Sequence, residues 1–364
     1  MSRPAILAMI RAEQKGIIVE TVEIAPGYRI SRIVKGNWQL AERHGPSVAR
    51  EEAVAGMRRF VEAGVTAFDC ADHYVGVEET IGAFRRQHPD LARGVKIHTK
   101  IVPDRDQLPV LRREDIVALV DRSLDRLGVD VLDMVQFHWW DYAVSGAVEA
   151  MGWLADLRAA GKIDLLGTTN FDTAHLRAFI DAGLPLVSNQ LQYSVLDRRP
   201  ERGLASYAKD HGIALQCYGA VAGGFLSARW LGAPDPEPPF ANRSLVKYRL
   251  IIDEFGSWAA FQALLQALDR VARGHGVSLT AVATRWVLDR PGVATAIVGA
   301  RTAEHLADIV SIATLHLSPE DRAEIDAALT PGPPGDCYDL ERETGGRHAS
   351  IMWTNQNAKG AGAR

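Results

Sequence analysis

The sequence predicts a (β/α)8 TIM barrel. Three observations carry this reading. Eight short apolar runs rich in β-forming residues follow one another along the chain. Amphipathic helical stretches separate them. The whole pattern occupies about 300 residues, the usual span of such a barrel.

Taken in order, the runs are "SRIVKGNW", "VTAFD", "VKIHTK", "LDMVQFH", "IDLLGTTN", "LPLVSNQ", "IALQCY" and "VATAIVGA". Between them lie segments such as "REEAVAGMRRFVEAG", "REDIVALVDRSLDRLG" and "AVEAMGWLADLRAAGK". Their apolar residues recur every three and four positions, as a helix packed on a sheet requires. Gly64, Gly128, Gly161 and Gly183 end helices, because glycine takes the left-handed stop conformation without a steric penalty. Strand–helix alternation implies parallel strands. No G-x-G-x-x-G follows a strand, which removes the usual reason for an open, doubly wound sheet.

Three segments fall outside the repeat. Residues 17–30 read as a short hairpin closing the bottom of the barrel. Residues 223–258 include "GAPDPEPPF" and read as a long loop after strand seven. Residues 331–364 read as a C-terminal tail, ordered near its start and fraying at its end. The expected organisation is a single barrel domain over 1–364, with 1–30 as N-terminal extension.

Composition excludes several classes of function. With 24% charged residues, 47% hydrophobic residues and a net charge of −4, nothing calls for a nucleic-acid partner. No apolar run approaches the roughly 20 residues that span a bilayer, so no membrane partner is expected. Cys70, Cys217 and Cys337 form neither a metal spacing nor a disulfide framework. The N-terminus lacks a cleavage signal, and the expected location is cytoplasmic.

Barrel active sites collect at the C-terminal ends of the strands. Strand two ends at Asp69, strand three at Lys100 and strand four at His138, with Tyr74 just past the first. Each alone has an ordinary explanation: a cap, a solvated amine, a satisfied core imidazole, a packed ring. Together, at equivalent positions, they form a set that protonates an oxygen while something else attacks carbon. A phenol is a weak acid at neutral pH. An ammonium about 4 Å away favours the phenolate by roughly 4 kcal/mol at an effective dielectric of 20, before burial opposes it. Lys100 would tune Tyr74, Asp69 would keep Lys100 charged, and His138 would hydrogen-bond a substrate carbonyl oxygen. No serine or cysteine nucleophile with a base accompanies them, so a hydride-donating cofactor completes the chemistry.

These residues sit in motifs that resemble the aldo-keto reductase family. "FDCADHY" is similar to its Asp and Tyr motif, "HTK" to its lysine segment and "QFHWW" to its histidine segment. "LLGTTNFD", "NQLQYSVLDRR" and "IALQCYGAVAGGFL" match in order and spacing, and the likeness runs from about residue 28 to 330. The resemblance implies a nicotinamide cofactor across the barrel mouth. Carried over, Thr169, Asn170 and Gln190 bind its carboxamide and Tyr218 stacks on its ring. In "AIVGARTAEHLADIV", Gly299 ends strand eight and Thr302 reads as a helix N-cap. Backbone N–H groups at such a helix start favour phosphate, and Arg301 supplies a fork for a 2′-phosphate. The expected cofactor is therefore NADP, with NAD possible. Three departures accompany the match: His305 replaces a glutamine, Asp308 and Ile309 stand at a Glu–Asn pair, and Gly219 stands where a serine often meets the pyrophosphate.

Trp38 and Trp139 are the expected apolar substrate wall, and the substrate is a small carbonyl compound or alcohol. Arg243 and Lys247 suit a cofactor pyrophosphate or an acidic substrate. The leading expectation is an NADP-dependent carbonyl reductase or alcohol dehydrogenase with Tyr74 as general acid and base. The alternatives are a non-catalytic cofactor-binding subunit that partners another protein, and a metal-dependent hydrolase using His98, His138 and Asp72. No metal is assigned.

Overall fold

The computed structural model describes residues 19–357, apart from 43, 305 and 353. The chain opens with an antiparallel hairpin, β1 (Thr21–Ala25) and β2 (Tyr28–Ser31). Eight strands follow: β3 (Ile33–Gly36), β4 (Ala67–Asp69), β5 (Lys96–Ile101), β6 (Leu132–Phe137), β7 (Ile163–Thr169), β8 (Leu186–Gln192), β9 (Ala214–Tyr218) and β10 (Val293–Gly299). All are parallel and close into a barrel in chain order, with β10 against β3. These are the eight apolar runs of the sequence. Helices such as Arg50–Glu62, Arg113–Leu127 and Ala147–Ala159 pack outside and bury one face each against the strands. The four glycine stops all have positive φ.

The hairpin closes the end of the barrel where the strands begin. Ile24, Tyr28 and Ile30 form one buried cluster with Val34, Ala67, Met134, Leu165 and Ala294, which lie in the first halves of β3, β4, β6, β7 and β10. That apolar floor leaves only the opposite mouth open to chemistry.

Strand alternation then sorts side chains into barrel and helix faces. Along β5, Lys96, His98 and Lys100 take one face while Ile97, Thr99 and Ile101 take the other. The inner layer is polar and hydrogen-bonded: His98 Nδ1 meets Gln216 Oε1 at 2.9 Å, and Gln216 Nε2 donates to Ser188 Oγ at 3.0 Å. Gly167 belongs to this layer, and a Cβ there would collide with Ser188 Oγ. Lys100 stands one step nearer the mouth.

The connection after β9 differs from the expected long loop in its second half. Residues 243–255 form the helix Arg243–Phe255, capped by the Asn242 side chain, which accepts from Leu245 N at 3.1 Å. The prolines that suggested a loop are confined to 234–239. Beyond them Leu245, Tyr248, Ile251, Ile252 and Phe255 repeat at helical spacing and are buried.

The tail crosses the mouth. Asp336 accepts from Thr173 N and Oγ1 at 3.0 and 2.7 Å, beyond β7. Glu341 pairs with Arg199 beyond β8, and Arg243 donates to the Ile351 carbonyl beyond β9. Gln356 N and Asn357 N both donate to Asp104 Oδ1 at 2.9 Å, beyond β5. Order therefore extends well past the front of this segment. Among the described residues no helix is long and apolar enough to cross a membrane.

Candidate active site

Asp69 and Lys100 end on adjacent strands and both are buried. The Lys100 ammonium donates to Asp69 Oδ1 and Oδ2 at 2.8 Å each, and to the Cys70 carbonyl at 2.8 Å. Burial pulls the Lys100 pKa down, but the charge of Asp69, with Tyr74 after it, outweighs burial and leaves it above the usual lysine value. Gln190 Nε2 adds a 2.6 Å bond to Asp69 Oδ1. Asn37 secures the same residue from behind, its Nδ2 donating to the Asp69 carbonyl at 2.9 Å. Lys35, 1% exposed, donates to Asn37 Oδ1 at 2.6 Å and to the Ala300 carbonyl at 3.1 Å.

Tyr74 is carried over this pair by the short turn between β4 and the helix Val77–Gln87. Gly76, at φ 82, is the cap that lets the chain turn there. The Lys100 Nζ lies 5.0 Å from the centre of the Tyr74 ring. Trp38 packs against the same ring, ring centres 4.7 Å apart. Burial pushes the phenol up to about 12, although the Lys100 charge pulls it down. The expected tuning is therefore present in sign and outweighed in size. A phenol removed from water loses more by ionising than one ammonium, already shared with a carboxylate, returns.

His138 is also buried at the mouth. Its Nδ1 bonds the Thr169 carbonyl at 3.0 Å, and its Nε2 has no partner among the described residues. Burial, and after it the charge of Arg342, holds the imidazole well below its usual range. A carbonyl only accepts, so the single proton of the neutral ring sits on Nδ1. Nε2 is then a lone pair. In that state the ring offers an acceptor, suited to a hydroxyl, whereas the expected bond to a carbonyl oxygen needs a proton on Nε2.

The chain also matches known proteins. Residues 32–330 match the model of the aldo/keto reductase family. The aldo-keto reductase YhdN of Bacillus subtilis is 30% identical over 83% of this chain and 91% of its own length. An NADH-specific methylglyoxal reductase of Escherichia coli is 28% identical over 60% of this chain and 66% of its own. The glycerol dehydrogenase of Gluconobacter oxydans shares the fold, with a TM-score of 0.74 and 24% identity over 87% of this chain and 98% of that one. The chain belongs to the aldo/keto reductase family. It is thus an oxidoreductase by descent, of a family that uses nicotinamide cofactors.

In this aldo/keto reductase family member the residues expected at the nicotinamide lie at the ends of β7, β8 and β9. Asn170 takes a left-handed conformation, φ 66, and its Oδ1 accepts from Tyr218 OH at 2.7 Å. Its Nδ2 is left as a donor with no partner among the described residues. Thr169 is buried, and its carbonyl orients His138. Gln190 departs from expectation. Its amide hydrogens go to Asp69 and, at 3.1 Å, to Gln136 Oε1, so it supports Asp69 and only its oxygen remains for a carboxamide. At Gly219, φ is 80 and a Cβ would lie 2.5 Å from Tyr248 OH. The ring of Tyr248 fills the space that a larger side chain would need.

Toward the far end of the mouth, Arg301 lies against the Gly45 backbone, and both Arg301 and Arg243 act on His44. Burial first, then these two charges, push His44 down to about 4, so it stays neutral and bonds Ser244 Oγ at 2.9 Å. Gly299 carries the side chain of Gln39 where a Cβ would otherwise sit. Thr302 is not a cap: the next helix, Leu306–Thr314, begins four residues later, with Asp308 in its first turn. His305 lies outside the described residues, as does Trp353 of the tail.

The aromatic wall differs from expectation. Trp139 is 1% exposed, and its indole N–H donates to the Asp141 and Val144 carbonyls at 2.9 and 3.0 Å. It packs the loop rather than facing the mouth. Trp140 stands edge-on to His138, ring centres 4.3 Å apart, with Tyr338 of the tail 5.7 Å away on another side. Alternation was the available signal, since residues 138 and 140 share a face and 139 does not. Tyr338 had none, because its place depends on how the tail folds. His98, His138 and Asp72 do not converge: His98 points into the polar barrel layer, and Asp72 bonds His73 and Val102 N.

Proposed function

We propose that this protein is an NADP-dependent carbonyl reductase, reversible as an alcohol dehydrogenase, with Tyr74 as general acid and base. The observation that carries the reading is the Lys100 ammonium held on Asp69 beneath the Tyr74 ring. The donor set fits the cofactor. Asn170 Nδ2, just past β7, has no partner among the described residues, and Arg301 and Arg243 give a basic far end suited to phosphates.

When bound, the nicotinamide supplies the hydride. The residues then handle one proton and one developing charge. Tyr74 donates its proton to the carbonyl oxygen. Lys100 stabilises the phenolate left behind, and Asp69 fixes Lys100 in charge and place. The new hydroxyl donates to the lone pair on His138 Nε2, which orients it. In the reverse direction the Tyr74 phenolate takes the hydroxyl proton. Arg301 favours the 2′-phosphate of NADP over the bare ribose of NAD. A cytoplasmic location accords with three buried, unpaired cysteines.

The test is absorbance at the reduced-nicotinamide band with NADPH and with NADH, against a panel of aldehydes and ketones. Tyr74→Phe should still bind the cofactor, read by fluorescence titration, and should lose turnover by a factor of about 100 or more. Full turnover in that variant rejects the mechanism. No reduction of any panel member by the unaltered enzyme, with the cofactor bound, returns the question to a non-catalytic subunit.

A further inference from the structure

The tail brings a cation to the mouth that the proposed reaction does not use. Arg342 lies in the short helix Asp339–Arg342. Its Nη2 donates to the carbonyl of Trp139, the residue after His138, at 3.2 Å. Its guanidinium lies 4.0 Å over the Tyr142 ring and 5.1 Å from the centre of Tyr338, whose ring is itself 5.7 Å from His138. Nε and Nη1 are buried and have no hydrogen-bond partner among the described residues.

Its neighbours make the contrast. Arg199 is saturated, bonding Asp197 at 2.6 Å and Glu341 at 2.9 Å. Lys247 has Glu341 at 3.7 Å. Asp141 is close enough to feel the Arg342 charge, yet its carboxylate bonds Arg105 at 2.8 Å instead. Among the described residues Arg342 forms no ion pair. A buried N–H left without an acceptor is costly, and an arginine packed against aromatic rings is pre-organised for an anion.

We propose that Arg342 binds an anionic group of the substrate, so that the preferred substrates are aldehydes or ketones carrying a carboxylate. This rests on the reductase reading above. The carbonyl oxygen takes its hydrogen bond from Tyr74, and the carboxylate reaches past Trp140 and Tyr338 to the guanidinium. The rings on the way favour a flat, aromatic spacer.

The test compares 4-carboxybenzaldehyde with 4-methylbenzaldehyde, which has a similar shape and no charge. The readout is the ratio of their kcat/KM values at fixed reduced cofactor. The ratio should favour the carboxylate by about tenfold or more, as a charge-assisted hydrogen bond implies. Arg342→Met should bring it close to one, and Arg342→Lys should keep part of it. Because the readout is a ratio within each protein, a general loss of activity in a variant does not imitate the effect. Benzoate should inhibit competitively with the aldehyde, and benzamide should not. If the unaltered enzyme reduces both aldehydes equally, or Arg342→Met keeps the preference, the assignment is wrong while the reductase reading stands. If neither aldehyde is reduced with NADPH or NADH, the reductase reading fails first and takes this one with it.

Discussion

The ammonium of Lys100 sits 2.8 Å from each carboxylate oxygen of Asp69, and both groups are buried. The charge of Asp69 is the main reason the buried Lys100 stays protonated. Removing one leaves the other as an uncompensated buried charge, which costs about 3–5 kcal/mol. Asp69→Asn and Lys100→Met should therefore each destabilise the fold by about that much. The double variant should recover part of the loss. Urea denaturation of the four proteins gives the coupling directly, and additive losses would show that the pair is not a unit.

The Tyr74 phenol, pushed up to about 12, sets opposite pH dependences for the two directions. Reduction needs the protonated phenol, which is present throughout the neutral range and up to about pH 11. Its rate should stay flat there and fall only as pH approaches 12. Oxidation needs the phenolate and should climb about tenfold per pH unit over the same range. Lys100→Met removes the charge that lowers the phenol, so oxidation should be slower at every pH in this range, with the same slope, and should level off only at still higher pH. Initial rates in both directions from pH 6 to 11 test this. A reduction rate that falls through pH 7 to 9 contradicts it.

The tail is clamped by Glu341, whose carboxyl is held down at about 2. Burial opposes this, and the charges of Arg199 and Lys247 overcome it. A depressed carboxyl contributes stability that is present above its unfolded value near 4.5 and is lost as pH falls through the folded value. The clamp should therefore weaken between about pH 4.5 and 2. At neutral pH, Glu341→Gln leaves Arg199 with only Asp197 and should loosen the tail by about 3 kcal/mol or more. Limited proteolysis within 338–357 reads both effects. Equal cleavage rates in the variant and the unaltered protein would show that other contacts hold the tail.

What could be read from the sequence followed the distance over which each feature is determined. Strand period, helix period and glycine stops are local, and all eight barrel strands appeared where the patterns put them. The convergence of Asp69, Lys100, Tyr74 and His138 needed only the barrel rule that strand ends meet at one mouth. Three features depend on partners remote in the chain. Gln190 turns its amide to Asp69, 121 positions away, and so serves the carboxylate more than a ligand. The phenol of Tyr74 answers to burial, which no spacing reveals. Tyr338 and Arg342 reach the mouth through a tail whose own sequence reads as irregular. The misreading at Trp139 is of another kind, because strand alternation, carried three residues past β6, already selects Trp140.

Those two tryptophans separate binding from packing. Trp140→Ala removes a ring that stands 4.3 Å from His138 and should raise KM for aromatic aldehydes about tenfold, with little change in melting temperature. Trp139→Ala empties a fully buried site and breaks two indole hydrogen bonds, so it should destabilise the protein by about 3–5 kcal/mol. Steady-state kinetics and thermal melts on both variants make the comparison. The reverse pattern would restore Trp139 to the substrate wall.

Gly219 has two separable reasons to be glycine. Its φ of 80 disfavours any L side chain, and a Cβ would approach Tyr248 OH to 2.5 Å. The backbone part should cost about 1–2 kcal/mol in Gly219→Ala. The nearest part of the contact is the tyrosine hydroxyl, which Tyr248→Phe removes, leaving Gln192 Cγ and the ring edge at 3.2 Å. The double variant should be more stable than Gly219→Ala alone, while retaining the backbone loss relative to Tyr248→Phe. Denaturant midpoints of the four proteins decide it. If Tyr248→Phe gives no relief, the helix Arg243–Phe255 moves to make room, and the φ of Gly219 alone explains the glycine.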